Sequence, residues 1–243
     1  MLKTRCGKIT YLKEFNLNFL IFLSFLIFSL DVFSSCNIKN LKIMAIGDSV
    51  TQGGRNPNEF SYRLPLSEML IKNGYKVDFI GMQHGLREES FKWPSDFDND
   101  HEGFYGETAS SVERTLKVDL INLPPPDIAL IQLGNNDLGK LNLYSAIIIP
   151  IRSIIKMLRE KNTHITIMIS SLHLNGYRFK YVRCYLYFLK WIESSEASKV
   201  MIVQMHDNWR SEDTFDGMHP SLTGQEKMAK NWLKSINLAC GLN

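Results

Sequence analysis

Short, mostly apolar runs alternate with longer amphipathic stretches from about residue 41 to residue 236. The run at residues 43–46 stops at Gly47 and is followed by Asp48 and Ser49; residues 75–80, 127–133, 164–170 and 199–205 supply four more. Runs this short and this apolar predict strands buried on both faces, the mark of a parallel sheet. Between them, residues 59–72, 110–123, 142–161 and 177–196 predict helices. Pro65 starts or kinks the first of these and Asn73-Gly74 ends it, while Pro124-Pro125-Pro126 stops the second. A final helix covers about residues 223–236: Thr223 with Glu226 reads as a capping box, and Met228, Ala229, Trp232, Leu233 and Ile236 form one core-facing stripe. Five strands joined through helices by right-handed crossovers predict a three-layer α/β/α sandwich with a five-stranded parallel sheet. Residues 82–101 break the pattern with a long polar insertion of the kind that is functional or disordered.

The chain has 243 residues, 44% of them hydrophobic, which suits one well-buried domain. Residues 19–30 are apolar apart from Ser24 and Ser29 and follow Lys3, Arg5, Lys8 and Lys13, the layout of a secretory signal peptide. The run is short for a bilayer span. Val32 and Ser34 offer small residues at positions −3 and −1, predicting cleavage after Ser34; a lipoprotein signal preceding a lipid-modified Cys36 and an uncleaved anchor are the alternatives. All three place the product outside the cytoplasm, secreted, periplasmic or lipoprotein-anchored. Residues 1–35 are therefore read as leader and residues 36–243 as the domain. The formal charge of +3 falls mostly on the leader: residues 37–243 carry 24 basic against 23 acidic groups, a balance that gives no reason to expect nucleic acid. Cys36, Cys184 and Cys240 lack the close spacing of a metal or redox site. Cys184 and Cys240 are read as a disulfide or as two free buried thiols.

Ser49 falls just past the carboxyl end of a predicted strand, where open α/β sheets bind ligands. Asn136 follows another strand in the same way, within Gly134-Asn135-Asn136-Asp137. Asp216 and His219 stand three apart, near enough within one turn for the carboxylate to reach Nδ1 of the imidazole. Pro220 disfavours the α conformation at His219 and holds it at the start of the last helix. Acyl transfer needs a nucleophile, a base, a group orienting the base, and donors aimed at an oxyanion; the chain offers a candidate for each. The other histidines, His84, His101, His164, His173 and His206, read as surface or core residues. Asp96, Asp98 and Asp100 alternate like calcium ligands or a glycosidase carboxylate pair, or form a solvated acidic loop. An α/β-hydrolase elbow would place glycine where Thr51 stands.

Gly47-Asp48-Ser49, Gly106 within residues 101–108, Gly134 to Asp137, and Asp216 with His219 resemble, in order, the four blocks of the SGNH (GDSL-type) hydrolases. Residues 47–53, 75–81, 98–103 and 216–220 are further similar to carbohydrate esterase family 3, whose members include acetylxylan esterases. The resemblance implies the flavodoxin-like SGNH fold and catalysis without cofactor or metal. It implies Ser49 as nucleophile, His219 as base, Asp216 as its orienting partner, and an oxyanion hole from the N–H groups of Ser49 and Gly106 and the side-chain amide of Asn136. Two blocks depart from the family pattern: Asn135 stands where threonine is usual, and Phe104-Tyr105-Gly106-Glu107 where His-Ser-Gly-Trp is usual. Both changes spare the oxyanion residues and alter the substrate pocket.

The expected function is hydrolysis of short-chain, O-acetyl esters on small or polymeric carbohydrate. The polar insertion, with Phe91, Trp93 and Phe97 and with Phe104 and Tyr105 beyond it, agrees with that, although Trp93 equally reads as an anchor of the loop. A lysophospholipase or thioesterase, a non-catalytic carbohydrate-binding relative, and an envelope partner-binding protein are the alternatives.

Overall fold

The computed structural model describes residues 36, 39–54, 60–88 and 92–242. Residues 1–35, the stretch read as a leader, and Phe91 lie outside the described residues. β1 (Leu41–Gly47), β2 (Val77–Phe79), β4 (Ile128–Gln132), β5 (Thr166–Ser170) and β6 (Val200–Val203) make a parallel sheet in the order β2-β1-β4-β5-β6. A two-residue strand, β3 (Glu102–Gly103), extends the sheet beside Ile46 and Gly47, on the side where β2 pairs the first half of β1. Chain order reverses between β1 and β4. The carboxyl ends of those two strands flank the switch-point crevice where such sheets take ligands.

Side chains along the strands alternate between two cores, as the period of two requires. Met44, Ile46, Ala129, Ile131, Ile167 and Ile169 face α3 (Ala109–Asp119), α4 (Ile149–Lys161) and α5 (Tyr177–Glu193). Ile43, Ile128, Leu130 and Met168 face α2 (Arg63–Lys72) and α6 (Leu222–Ala239). The three layers are those expected, and the buried part of the α6 stripe is core packing: Met228, Ala229, Trp232 and Ile236 are buried, and Leu233 is half-buried. Pro65 lies in the first turn of α2, where its missing N–H costs nothing. The helix expected over residues 142–161 begins as a π-turn, Tyr144–Ile148, and becomes α-helical at α4.

Three readings are corrected. The cap of α6 is Ser221, whose Oγ accepts from Gly224 N–H; Thr223 instead hydrogen-bonds Asp213, so its pairing with Glu226 is not a capping box. Pro220 accordingly precedes the cap. The disulfide is Cys36–Cys240, and Cys184 is an exposed free thiol. α6 runs back antiparallel to the strands, which brings Cys240 to the start of β1.

β3 carries a buried acid. Glu102 accepts from Met82 N–H at 2.6 Å, and burial, followed by the neighbouring Asp119 carboxylate, pushes its carboxyl up to about 8. As two carboxylates, Glu102 Oε2 and Asp119 Oδ2 would be buried without a donor; a proton between them supplies one. Between about pH 4.5 and 8 the unfolded chain gives up this proton while the folded chain keeps it, so the group lowers stability as pH rises through that window. Glu102→Gln, whose amide donates at every pH, should therefore gain on the wild type from pH 5 to pH 8. Melting temperatures across that range check this, and a constant gap would contradict the shared proton.

Candidate active site

Gly47 lets the chain turn sharply out of β1: a Cβ there would lie 2.1 Å from Thr51 Oγ1 and 2.7 Å from the Gln132 carbonyl oxygen. Asp48 then caps a four-residue helix, α1 (Ser49–Gln52), accepting from Val50 N–H at 3.0 Å, and takes a further bond from the Asn135 amide at 3.4 Å. Its complete burial pushes the carboxyl up to about 7 against those donors and the nearby His219. Ser49 is the first helical residue, so its N–H has no intrahelical acceptor.

The carbonyls at the far end of α1 are held by a residue that the apolar pattern did not single out. Arg63, buried in α2, donates to Thr51 at 2.9 Å, to Gln52 at 3.4 Å and, across to the insertion, to Asn99 at 2.9 Å. Burial lowers its guanidinium to about 10, which leaves it charged at neutral pH. Trp93 lies over that guanidinium at 5.0 Å and packs on Phe60 and Phe97. Trp93 and Phe97 thus anchor the insertion. Residues 82–101 close on themselves through the Gln83–His101 bridge. Buried His101 donates from Nε2 to the Gly85 carbonyl and accepts Gly103 N–H, and burial holds it well below its usual range. Asp98 accepts from Phe79 N–H, and Asp100 binds His84. Among the described residues no cluster of three or more metal-ligating side chains is found.

The structure brings Ser49, His219 and Asp216 into one row. Ser49 Oγ is 2.9 Å from His219 Nε2, and His219 Nδ1 is 2.7 Å from Asp216 Oδ2. Asp216 Oδ1 also accepts the N–H groups of His219, at 2.7 Å, and Met218, at 2.9 Å. Burial alone would raise the Asp216 carboxyl, but these bonds and the imidazole hold it below the ordinary carboxylate range. An ionised Asp216 needs a donor, so Nδ1 carries the imidazole proton and Nε2 accepts from Ser49. Tyr105 and Phe215 lie nearly parallel to the imidazole, at 5.5 and 5.7 Å, and the Tyr105 hydroxyl is 3.2 Å from Nε2. Behind the loop, buried His173 donates from Nε2 to the Met218 carbonyl at 2.7 Å. Burial lowers it to about 4, so it stays neutral.

Gly106 and Asn136 stand on two loops tied to each other beside this row. Phe104 N–H donates to the Gly47 carbonyl, Tyr105 N–H to Gln52 Oε1 at 2.7 Å, and Asn136 Nδ2 to the Glu107 carbonyl at 2.8 Å. Gly106, at φ 78°, makes the turn that an L side chain would strain. One hydrogen of the Asn136 amide is engaged at Glu107, which leaves the second to point elsewhere. Asp48, Gln52, Arg63, Tyr105 and His173 were not singled out from sequence as site residues. Asp48 and Tyr105 stood in the motifs without a role and His173 was read as a surface or core residue, while the signal of Arg63 is a cation in a stretch whose neighbours face the core.

The sequence profile of the GDSL-like lipase/acylhydrolase family matches residues 45–227, and the chain belongs to that family. Its fold is that of the SGNH hydrolases, and it is similar to structures of carbohydrate esterase family 3. A multidomain esterase of Ruminococcus flavefaciens is 30% identical over 225 residues, covering 81% of this chain; the chain spans 28% of that protein's length. A carbohydrate esterase family 3 structure from Talaromyces cellulolyticus superposes with a TM-score of 0.71 at 23% identity, covering 84% of this chain and 100% of that one. The Clostridium thermocellum family 3 carbohydrate esterase gives 0.64 at 26% identity, covering 84% and 98%.

Proposed function

We propose that this chain is an exported esterase that removes short acyl groups, O-acetyl above all, from carbohydrate through an acyl-serine intermediate. The observation that carries the reading is the Ser49–His219–Asp216 row, at 2.9 and 2.7 Å, beside the switch point of the sheet. Ser49 Oγ attacks the ester carbonyl as His219 Nε2 takes its proton, and ionised Asp216 stabilises the imidazolium. The N–H groups of Ser49 and Gly106 and the free hydrogen of the Asn136 amide receive the oxyanion. Collapse expels the sugar alkoxide, which His219 protonates. Water, deprotonated by the same imidazole, then releases the acid and regenerates Ser49.

Two features support a sugar substrate. The described part of the insertion is largely polar, with Arg87, Glu88, Lys92, Asp96, Asp98 and Asp100, and poorly suited to cover a long acyl chain. Beside Phe215 lies a cavity of about 510 Å³ whose walls include Trp209, Asn175 and Arg210. Aromatic faces among hydrogen-bonding groups match an amphipathic sugar ring. The names of the carbohydrate esterase neighbours agree with this. Export is supported by the leader pattern and by the Cys36–Cys240 disulfide, which suits an oxidising compartment. Among the described residues no helix is long and apolar enough to cross a membrane.

The test compares kcat/KM for acetyl and for eight-carbon or longer acyl esters, then for acetylated xylan against a lysophospholipid. Acetyl and xylan should be preferred. A preference for the long chain or the phospholipid would overturn the carbohydrate reading and leave the serine chemistry standing. Asn136→Ala should lower kcat by roughly 10² to 10³ with little change in KM, because a donor aimed at the oxyanion acts in the transition state. If KM rose while kcat held, Asn136 would be a ground-state contact.

A further inference from the structure

α5 is buried along one side through Val182, Arg183, Leu186 and Leu189, and its opposite side carries an apolar stripe. At 100° per residue, Tyr177, Tyr181, Cys184, Phe188 and Trp191 fall within about 80° of one another, with Tyr187 at the margin. The five aromatics range from 44% exposed at Tyr181 to 77% at Trp191, and Cys184 is an exposed free thiol. Ring packing within the stripe, Tyr177 on Tyr181 at 4.7 Å and Phe188 on Trp191 at 5.9 Å, leaves the outer faces uncovered. At roughly 200 Å² per aromatic side chain, the exposed portions come to about 600 Å². That is the upper end of what a monomer displays, and most of the ~800 Å² each partner gives to a stable dimer.

We propose that this face docks a second copy of the chain, α5 against α5, antiparallel about a two-fold axis at Cys184. The layout of the stripe selects that occupant. Tyr177 and Trp191 stand seven residues to either side of Cys184, and Tyr181 and Tyr187 three. A two-fold axis at Cys184 sets Tyr177 beside the partner's Trp191 and the two Cys184 thiols against each other, with Tyr181 and the partner's Tyr187 at one level on the two flanks of the seam. This is the self-complementary arrangement an isologous dimer requires. The near-neutral domain adds no net repulsion between copies. Of the basic groups a membrane surface would use, Lys180 flanks the stripe, while Arg178 and Lys190 lie about 100° or more round the helix from its centre.

Sedimentation velocity of the purified protein over a hundred-fold concentration range tests this. The wild type should reach twice the chain mass, and Phe188→Glu/Trp191→Glu should stay at the chain mass while hydrolysing a small acetyl ester at the wild-type rate. A short bismaleimide should join two wild-type chains and leave Cys184→Ser unjoined. A wild type monomeric throughout would overturn the proposal, as would a dimer the double variant keeps. A dimer that the double variant dissolves but the linker fails to bridge would overturn the antiparallel register. A monomer that instead co-sediments with anionic phospholipid vesicles or insoluble xylan through these rings would overturn it in favour of that partner.

Discussion

Ser49→Ala is expected to lower kcat for an acetyl ester on the order of 10⁶-fold while leaving the protein folded. The substitution removes one oxygen and its bond to His219 Nε2 and keeps everything that builds the turn: Gly47, the Asp48 cap and the Arg63 clasp on the carbonyls of α1. Alanine is also a good helix residue at that position. The melting temperature should therefore move little, and the lost rate is attributable to the missing nucleophile. Steady-state rates beside a thermal melt check both halves. Wild-type turnover in a folded Ser49→Ala protein would remove Ser49 from the chemistry.

Asp216→Asn is expected to cost about 10⁴ in kcat, with KM nearly unchanged. The asparagine oxygen can still accept the N–H groups of His219 and Met218, so the loop keeps its shape. Its amide nitrogen then donates towards Nδ1, and the imidazole proton moves to Nε2. In that tautomer Nε2 donates to Ser49 and has no lone pair for its proton. A loss of only tenfold would mean that Asp216 serves mainly to hold the loop.

The apolar runs made the strands readable because a strand buried on both faces must be apolar at nearly every position, and β1 and β4 are. Asp216 and His219 were readable for a different reason: three residues and one turn bring them together, so no long-range information is needed. Ser49 and Asn136 were placed by the ends of their strands. What the sequence did not reveal depends on distant parts meeting. Cys36 and Cys240 are 204 residues apart, and nothing local distinguishes Cys240 from Cys184 as an end of the bond. Tyr105 reaches His219 across 114 positions, and His173 reaches Met218 across 45. The cap of α6 was misplaced by two residues because Ser221 and Thr223 are both good capping residues; the apolar stripe sets the helix's face and leaves its first turn open.

The Cys36–Cys240 bond, with its Cα atoms 4.9 Å apart, also decides how the domain bears a load. Any polypeptide joined before Cys36 or after Cys240 leaves from nearly the same point. A pull between two such attachments is carried by one covalent link, and the hydrogen bonds of the sheet stay slack. Held between an anchor and a moving polymer, the fold would be a bead hung on a closed clasp, able to swing without being drawn open.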